Sequence, residues 1–258
     1  MSNDRNFDDL AHRFTDNIYG SPKGQIRLAI LKQDLDTFLA RFPANTSLRV
    51  LDAGCGLGYM ALYLAEQGHE VVLCDHSAEM IQRAQQMFAE HAPKAKVSFI
   101  ESSVQEVNQH VDGKFDLVLF HAVLEWVSQP QQVLQQLLSL LQPQGYLSLL
   151  FYNRNSLVFR NMLRGNFRKV ASEQFAGDPG SLTPSNPLMP EDVYGWLASL
   201  DLSIITRTGV RILYDYLPRD ILGQRSFEDI LDMERRHCHQ SAFIDLGRYI
   251  HVLSQLQS

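Results

Sequence analysis

Short apolar runs alternate along this chain with longer stretches in which apolar residues return at helical spacing. Residues 6–18 and 24–41 read as helices; in the second, Ile26, Leu28, Ile30, Leu31, Leu35, Phe38 and Leu39 fall close to one face. Strands are expected at 48–53, 70–75, 97–101, 115–120 and 144–152. Helices fall between them at 60–67, 78–91 and 130–141. Gly68 ends the first of these helices, Ser77 caps the second, and Pro130 opens the third.

Strands alternating with helices of this length make βαβ units, hence a parallel sheet covered on both faces. The rhythm breaks after Tyr152. Residues 153–190 begin as a basic, helix-like stretch (SLVFRNMLRGNFRKV) and end in a Gly/Pro/Ser loop. A helix over 191–200, a long strand from Leu202 to Tyr216, helices within 217–241 and a strand over 247–253 complete the chain. The expected architecture is α/β: one Rossmann-like, doubly wound domain over 1–258. Residues 1–44 would form an N-terminal helical cap, and insertions at 153–190 and 217–243 the substrate side.

The first strand runs into Asp52-Ala-Gly-Cys-Gly-Leu-Gly58 before its helix begins. A dinucleotide fingerprint requires G-x-G-x-x-G and seats a pyrophosphate on the helix N-terminus. Here the glycines, Gly54, Gly56 and Gly58, alternate, and the acid at Asp52 would repel a pyrophosphate. That acid suits a ligand with a positive end, an ammonium or a sulfonium. Asp75, at the end of the second strand, is placed to accept from ribose hydroxyls. An adenosyl amino acid, S-adenosylmethionine (SAM), meets both requirements.

Composition changes this picture little. The 258 residues are 45% hydrophobic and 20% charged, as in an ordinary globular protein. No run approaches a membrane span, so no membrane partner is expected. The polar, acidic N-terminus does not read as a signal peptide. Three unpatterned cysteines, Cys55, Cys74 and Cys238, offer neither a disulfide framework nor a zinc spacing, and point to a reducing cytoplasm.

Charge is more informative. The net value is −6, yet Arg154, Arg160, Arg164, Arg168 and Lys169 precede any acid in the last 108 residues. The whole-chain value speaks weakly against a nucleic acid, and the local run weakly for one, with a solvated helix face as the alternative.

The fourth strand ends in Phe120-His121-Ala122-Val123, which lacks the acid-or-amide, Pro-Pro-aromatic pattern of enzymes that methylate base amines. None of the cysteines sits well as a nucleophile for ring-carbon methylation. Methylation of oxygen fits better, and a carboxylate acceptor, anionic at pH 7, requires no general base and hence no catalytic residue of that kind. Such an acceptor needs cations and tyrosines; Lys23, Arg27, Arg154, Arg211, Tyr214, Arg248 and Tyr249 lie near site-facing edges, and Arg160 and Arg164 extend the basic run. His121 suits a base, a cofactor contact or a packed residue, with the cofactor contact preferred.

VLDAGCGLG, LCDHSAEMI, FDLVLFHAVLEWV and LQPQGYLSLLFYN resemble the ordered motifs of class I SAM-dependent methyltransferases. That resemblance implies a seven-stranded sheet with an antiparallel last strand. RNFDDLAHRF, NIYG, KGQIR, FHAVLEWV, LLFYNRNSLVFRNMLRGNF, TGVRILYDYL and LGRYIHV resemble, more specifically, the tRNA 5-carboxymethoxyuridine methyltransferases. The family's activity would be methyl-ester formation on the wobble-uridine carboxylate, with the tRNA anticodon region as partner. Carried over by motif, SAM contacts would be Arg27, Gly54, Cys55, Asp75, Val104, Gln105 and His121, beside Asp52 and Gly56 from the loop itself. Phe151, Tyr152, Phe159 and Phe167 are candidates to stack on RNA bases, with core packing as the alternative, preferred for Phe151 and Phe159. A small-molecule carboxyl or phenol O-methyltransferase and a SAM-binding module without catalysis stay as rivals.

Overall fold

The computed structural model describes residues 20–177 and 183–257; the helix expected at 6–18 lies outside them. Seven strands form one sheet in the order β3-β2-β1-β4-β5-β7-β6. Strands β1 (Arg49–Ala53), β2 (Glu70–Asp75), β3 (Val97–Glu101), β4 (Phe115–His121) and β5 (Leu141–Tyr152) pair in parallel. The last, β7 (Tyr249–Leu256), slots antiparallel between β5 and β6 (Leu202–Val210). The chain order reverses between β1 and β4, which opens a crevice at the carboxyl ends of the strands.

Alternation along each strand divides the core into two layers. Leu51, Val118 and Phe120 pack with α4 (Pro130–Leu138), α7 (Pro190–Ser199) and α10 (Ser241–Ile244). Val50, Leu117 and Leu119 face the other way, onto α1 (Pro22–Leu39), α2 (Tyr59–Glu66), α3 (Ala78–His91) and α9 (Phe227–His237). Among the described residues no helix is long and apolar enough to cross a membrane.

Helix α1 starts at Ser21, whose hydroxyl accepts from the Gly24 amide at 3.3 Å, and carries Pro22 in its first turn. Its buried face holds Ile26, Ile30, Leu31, Leu35 and Phe38, and with them two polar residues, Arg27 and Asp34. These two sit two turns apart on one face, so α1 brings a cation and an acid to the inner side of the molecule. The basic stretch after β5 forms α5 (Arg154–Leu163) and α6 (Phe167–Ser172), and α8 (Arg219–Gln224) lies before α9.

Two boundaries differ from the sequence expectation. The helix expected to reach 141 ends at Leu138, and β5 begins at Leu141 instead of 144. A register shift opposite Phe115–Leu117 absorbs the added residues, with Gln144 at φ 60. The strand expected from Leu202 to Tyr216 stops at Val210. There Arg211 turns to φ 62, and the buried Glu234 carboxylate takes the amides of Ile212, Leu213 and Tyr214 at 2.8, 3.1 and 2.9 Å. A side chain from α9 thus replaces the strand ladder.

Candidate active site

The loop after β1 is built for close approach. Gly54 has φ 74, and a Cβ there would lie 2.4 Å from a Val123 methyl. Gly58, the N-cap of α2, has φ 75 and would collide with Leu73 in the same way. L-residues with a side chain disfavour that backbone region, so both positions require glycine. The loop folds onto Asp75, whose two oxygens accept from the Gly56 amide at 2.7 Å and the Ser77 amide at 2.9 Å.

A cavity opens where this loop meets the ends of β2 and β4. All nine residues expected to contact the cofactor line it: Arg27, Asp52, Gly54, Cys55, Gly56, Asp75, Val104, Gln105 and His121. Tyr59, His76, Met80 and Trp126 line it as well. The sequence did not single out these four as contacts, although FHAVLEWV contains Trp126 and LCDHSAEMI contains His76 and Met80. Burial and the neighbouring Asp75 push the Asp52 carboxyl up to about 7. Burial also raises the Cys55 thiol well above its ordinary value and the Cys74 thiol to about 12, which leaves both as protonated, unreactive thiols at neutral pH. Glu125, between the lining residues Val123 and Trp126, is pushed up to about 8 by burial and is a neutral acid.

A second cavity shares Arg27 with the first. Among the described residues it is lined by five cations, Lys23, Arg27, Arg160, Arg211 and Arg248, against a single acid, Asp215. Tyr152 and Tyr249 complete the wall, their rings edge to face at 5.1 Å. Asp215 accepts from Arg211 Nε at 2.7 Å through Oδ2, while Oδ1 faces Lys23 Nζ at 3.5 Å and Arg248 Nη2 at 3.7 Å. Burial opposes its ionisation, but Arg211, Arg248 and Lys23 hold it below the ordinary carboxylate range. Burial lowers Lys23 against the pull of Asp215. Arg248 is 3% exposed and donates to the Tyr152 hydroxyl at 3.1 Å. Burial disfavours its charge, yet Tyr152 and Asp215 together hold it above its usual value.

The backbone here is tightly determined. Asn153, fully buried, donates from Nδ2 to the carbonyls of Asp245 and Gly247 at 2.8 and 2.9 Å. A Cβ on Gly247 would lie 2.5 Å from the Tyr249 carbonyl oxygen. These contacts fix where Arg248 leaves the chain. Of the nine residues expected to grip an acceptor, Lys23, Arg27, Arg160, Arg211, Arg248 and Tyr249 meet in this cavity. The other three lie elsewhere. Arg154 pairs with Glu173 at 3.1 Å, Arg164 is exposed on the far end of α5, and Tyr214 packs into the core layer beneath α9.

Residues 44–197 match a family model described as a methyltransferase domain. The tRNA 5-carboxymethoxyuridine methyltransferase of Escherichia coli (strain K12) is 47% identical over 98% of this chain and 96% of that protein. The chain belongs to the tRNA 5-carboxymethoxyuridine methyltransferase family. Likeness outside this family is more partial: malonyl-[acyl-carrier protein] O-methyltransferase of Enterobacter lignolyticus (strain SCF1) is 33% identical over 50% of this chain and 48% of its own. The fold is shared with magnesium protoporphyrin IX methyltransferase from Synechocystis PCC 6803, solved with bound S-adenosylhomocysteine, at a TM-score of 0.64 and 18% identity over 98% of this chain and 96% of that one. The cavity at the glycine loop and the cationic cavity beside it meet at Arg27.

Proposed function

We propose that this chain transfers the methyl group of SAM to the carboxylate of 5-carboxymethoxyuridine at the tRNA wobble position, giving the methyl ester. The observation that carries the reading is the five-cation cavity joined at Arg27 to the glycine-loop cavity. SAM supplies an electrophilic methyl group. Asp52 offers a carboxylate to its cationic end, Asp75 offers acceptors to its ribose, and the apolar and aromatic wall receives its base.

The chain's own task is then placement. An acceptor carboxylate is ionised at pH 7, so nothing has to remove a proton. Arg160, Arg211, Arg248 and Lys23 hold it by charge-assisted hydrogen bonds and Tyr249 closes one side, which fixes its approach to the neighbouring cavity. The buried setting of Arg248 strengthens each of these contacts by excluding water.

Helices α5 and α6 supply the features expected of an RNA contact. No residue of α6 is buried, and Leu163 and Phe167 are 59% and 68% exposed beside Arg164, Arg168 and Lys169. Phe167 is free to stack on an unpaired anticodon-loop base; Phe151 and Tyr152 are buried, and Phe159 packs on Tyr216 at 5.2 Å. Three free, buried cysteines fit a reducing cytoplasm.

The test is mass spectrometry of nucleosides after incubation with SAM and carboxymethoxyuridine-containing tRNA. The methyl ester is expected from intact tRNA, with activity falling steeply with salt, and little from the free nucleoside. SAM binding without ester formation would overturn the reading.

Asp52 adds a pH signature. With its carboxyl near 7, the free protein is increasingly protonated there below neutrality, and a cationic ligand must displace that proton. SAM affinity is therefore expected to fall about tenfold for each pH unit below 7. Asp52→Asn should bind weakly with a flat profile. Calorimetric titration at several pH values decides it; a flat wild-type profile removes Asp52 from the cationic end.

A further inference from the structure

A chain of hydrogen bonds runs from the glycine-loop cavity along the face of the sheet beneath α1 to a partly exposed histidine after α9. His121 Nε2 lies 2.8 Å from Ser148 Oγ, and Ser148 Oγ lies 2.8 Å from His251 Nε2. His251 Nδ1 meets Asp34 Oδ2 at 2.6 Å, and Asp34 Oδ1 meets His239 Nε2 at 2.7 Å. Ser148 and His251 are 0% and 1% exposed, whereas the His239 side chain is 42% exposed. Five residues from β4, β5, β7, α1 and the turn after α9 thus connect the cavity wall to solvent.

We infer that Asp34, His251 and Ser148 are positioning residues that hold His121 neutral with its proton on Nε2, the compensating charge residing on His239. Proton counting leads there. Burial works against Asp34, yet bonds from His239 and His251 hold its carboxyl well below the ordinary range, so it is an acceptor on both sides. His239 and His251 must each present an N–H to it. One of the two rings carries the charge that balances Asp34.

His239 is the cheaper seat. Its exposure leaves a charge solvated, and the Asp34 bond, aided by Cys238, raises it to about 10. His251 is enclosed, with the His121 ring edge to face at 5.8 Å, so a charge there loses its hydration. Neutral His251 with its proton on Nδ1 has a bare Nε2, which accepts the Ser148 hydroxyl proton. The Ser148 oxygen then accepts from His121 Nε2–H, which leaves Nδ1 of His121 unprotonated. Were His251 charged, both Ser148 bonds would reverse and His121 would carry its proton on Nδ1. The titratable and charged groups around His121 are His251 and Arg27; with burial they drive its ring well below the ordinary value.

A neutral ring adds no repulsion to a cavity that receives a sulfonium. That consequence rests on the methyltransferase reading; the tautomer itself does not.

The test is ¹⁵N-resolved NMR of the histidine rings in the full chain between about pH 6 and 8. His121 is expected as a single neutral Nε2–H tautomer throughout. His239→Gln keeps a donor to Asp34 but removes the charge, so His251 takes it and His121 moves toward the Nδ1–H form. Ser148→Ala breaks the chain: His121 becomes a tautomer mixture, and adding His239→Gln no longer changes it. A His121 that titrates like a free imidazole, or one whose tautomer ignores His239→Gln in the folded variant, overturns the relay. Absence of SAM binding to the wild type, with the tautomer as expected, would instead count against the methyltransferase reading alone.

Discussion

Arg248→Met is expected to lower kcat/KM for carboxymethoxyuridine tRNA by about 10²- to 10³-fold while SAM affinity stays within about twofold. Methionine keeps most of the volume and removes the charge, so packing changes little. Arg248 is 3% exposed, bonded to Tyr152 and 3.7 Å from Asp215. Loss of one member of a desolvated charge group costs about 2–5 kcal/mol, and about 1.4 kcal/mol is tenfold. The substrate carboxylate would meet one donor fewer where water cannot substitute. The glycine-loop cavity proposed for SAM is on the other side of Arg27, which does not change. Steady-state kinetics with a parallel SAM titration measures both. A variant with wild-type kcat/KM would remove this cavity from acceptor binding.

Glu234→Ala is expected to lower the melting temperature by roughly 10 °C and to lower activity with it. Glu234 is fully buried and its carboxylate satisfies three successive amides, Ile212 to Tyr214. Each orphaned amide costs about 1 kcal/mol or more where water cannot reach it, about 3 kcal/mol in all. For a domain of this size that corresponds to about 2–4 °C per kcal/mol. The same turn presents Arg211 and Asp215, so the cationic cavity loses its frame when the turn melts. Glu234→Gln should recover about half the loss, because its amide oxygen still serves Leu213 and Tyr214 while its NH₂ opposes the Ile212 amide. Thermal unfolding of the three proteins reads this directly; an unshifted Glu234→Ala curve would mean the turn is held by something else.

The glycine-loop half of the candidate site was legible as a cavity lining because its signals are local. Asp52, the alternating glycines and Asp75 lie within 24 residues of one another, and each has a backbone reason to be what it is. The acceptor half was only partly legible. Arg160, Arg211 and Arg248 were visible as cations, but nothing in the sequence tells that they converge with Lys23 on one cavity, or that Arg164, in the same basic run, points away. The end of the helix separates them, not its phase: Arg160 lies in the last turn of α5 and lines the cavity, whereas Arg164 is its exposed C-cap. Asp215 was hidden in a stretch read as strand, since the apolar pattern of Val210 to Tyr216 suits a ladder that Glu234 interrupts from α9. The His251–Asp34 bond spans 217 positions, a distance over which residue spacing carries no information.

Asp215 gives the acceptor cavity a resident anion. Its Oδ2 is held firmly by Arg211, but Oδ1 faces Lys23 and Arg248 at the looser distances of 3.5 and 3.7 Å. Before substrate arrives, this carboxylate keeps the five cations from repelling one another apart. On the proposed function, an incoming carboxylate would draw Lys23 and Arg248 across from Oδ1, making binding an exchange of partners and not the filling of a bare positive hole. Methylation would turn the substrate's anion into a neutral ester, unable to compete, and the two cations would return to Asp215. On that reading the chain carries its own competitor to the reactant, set to displace the product.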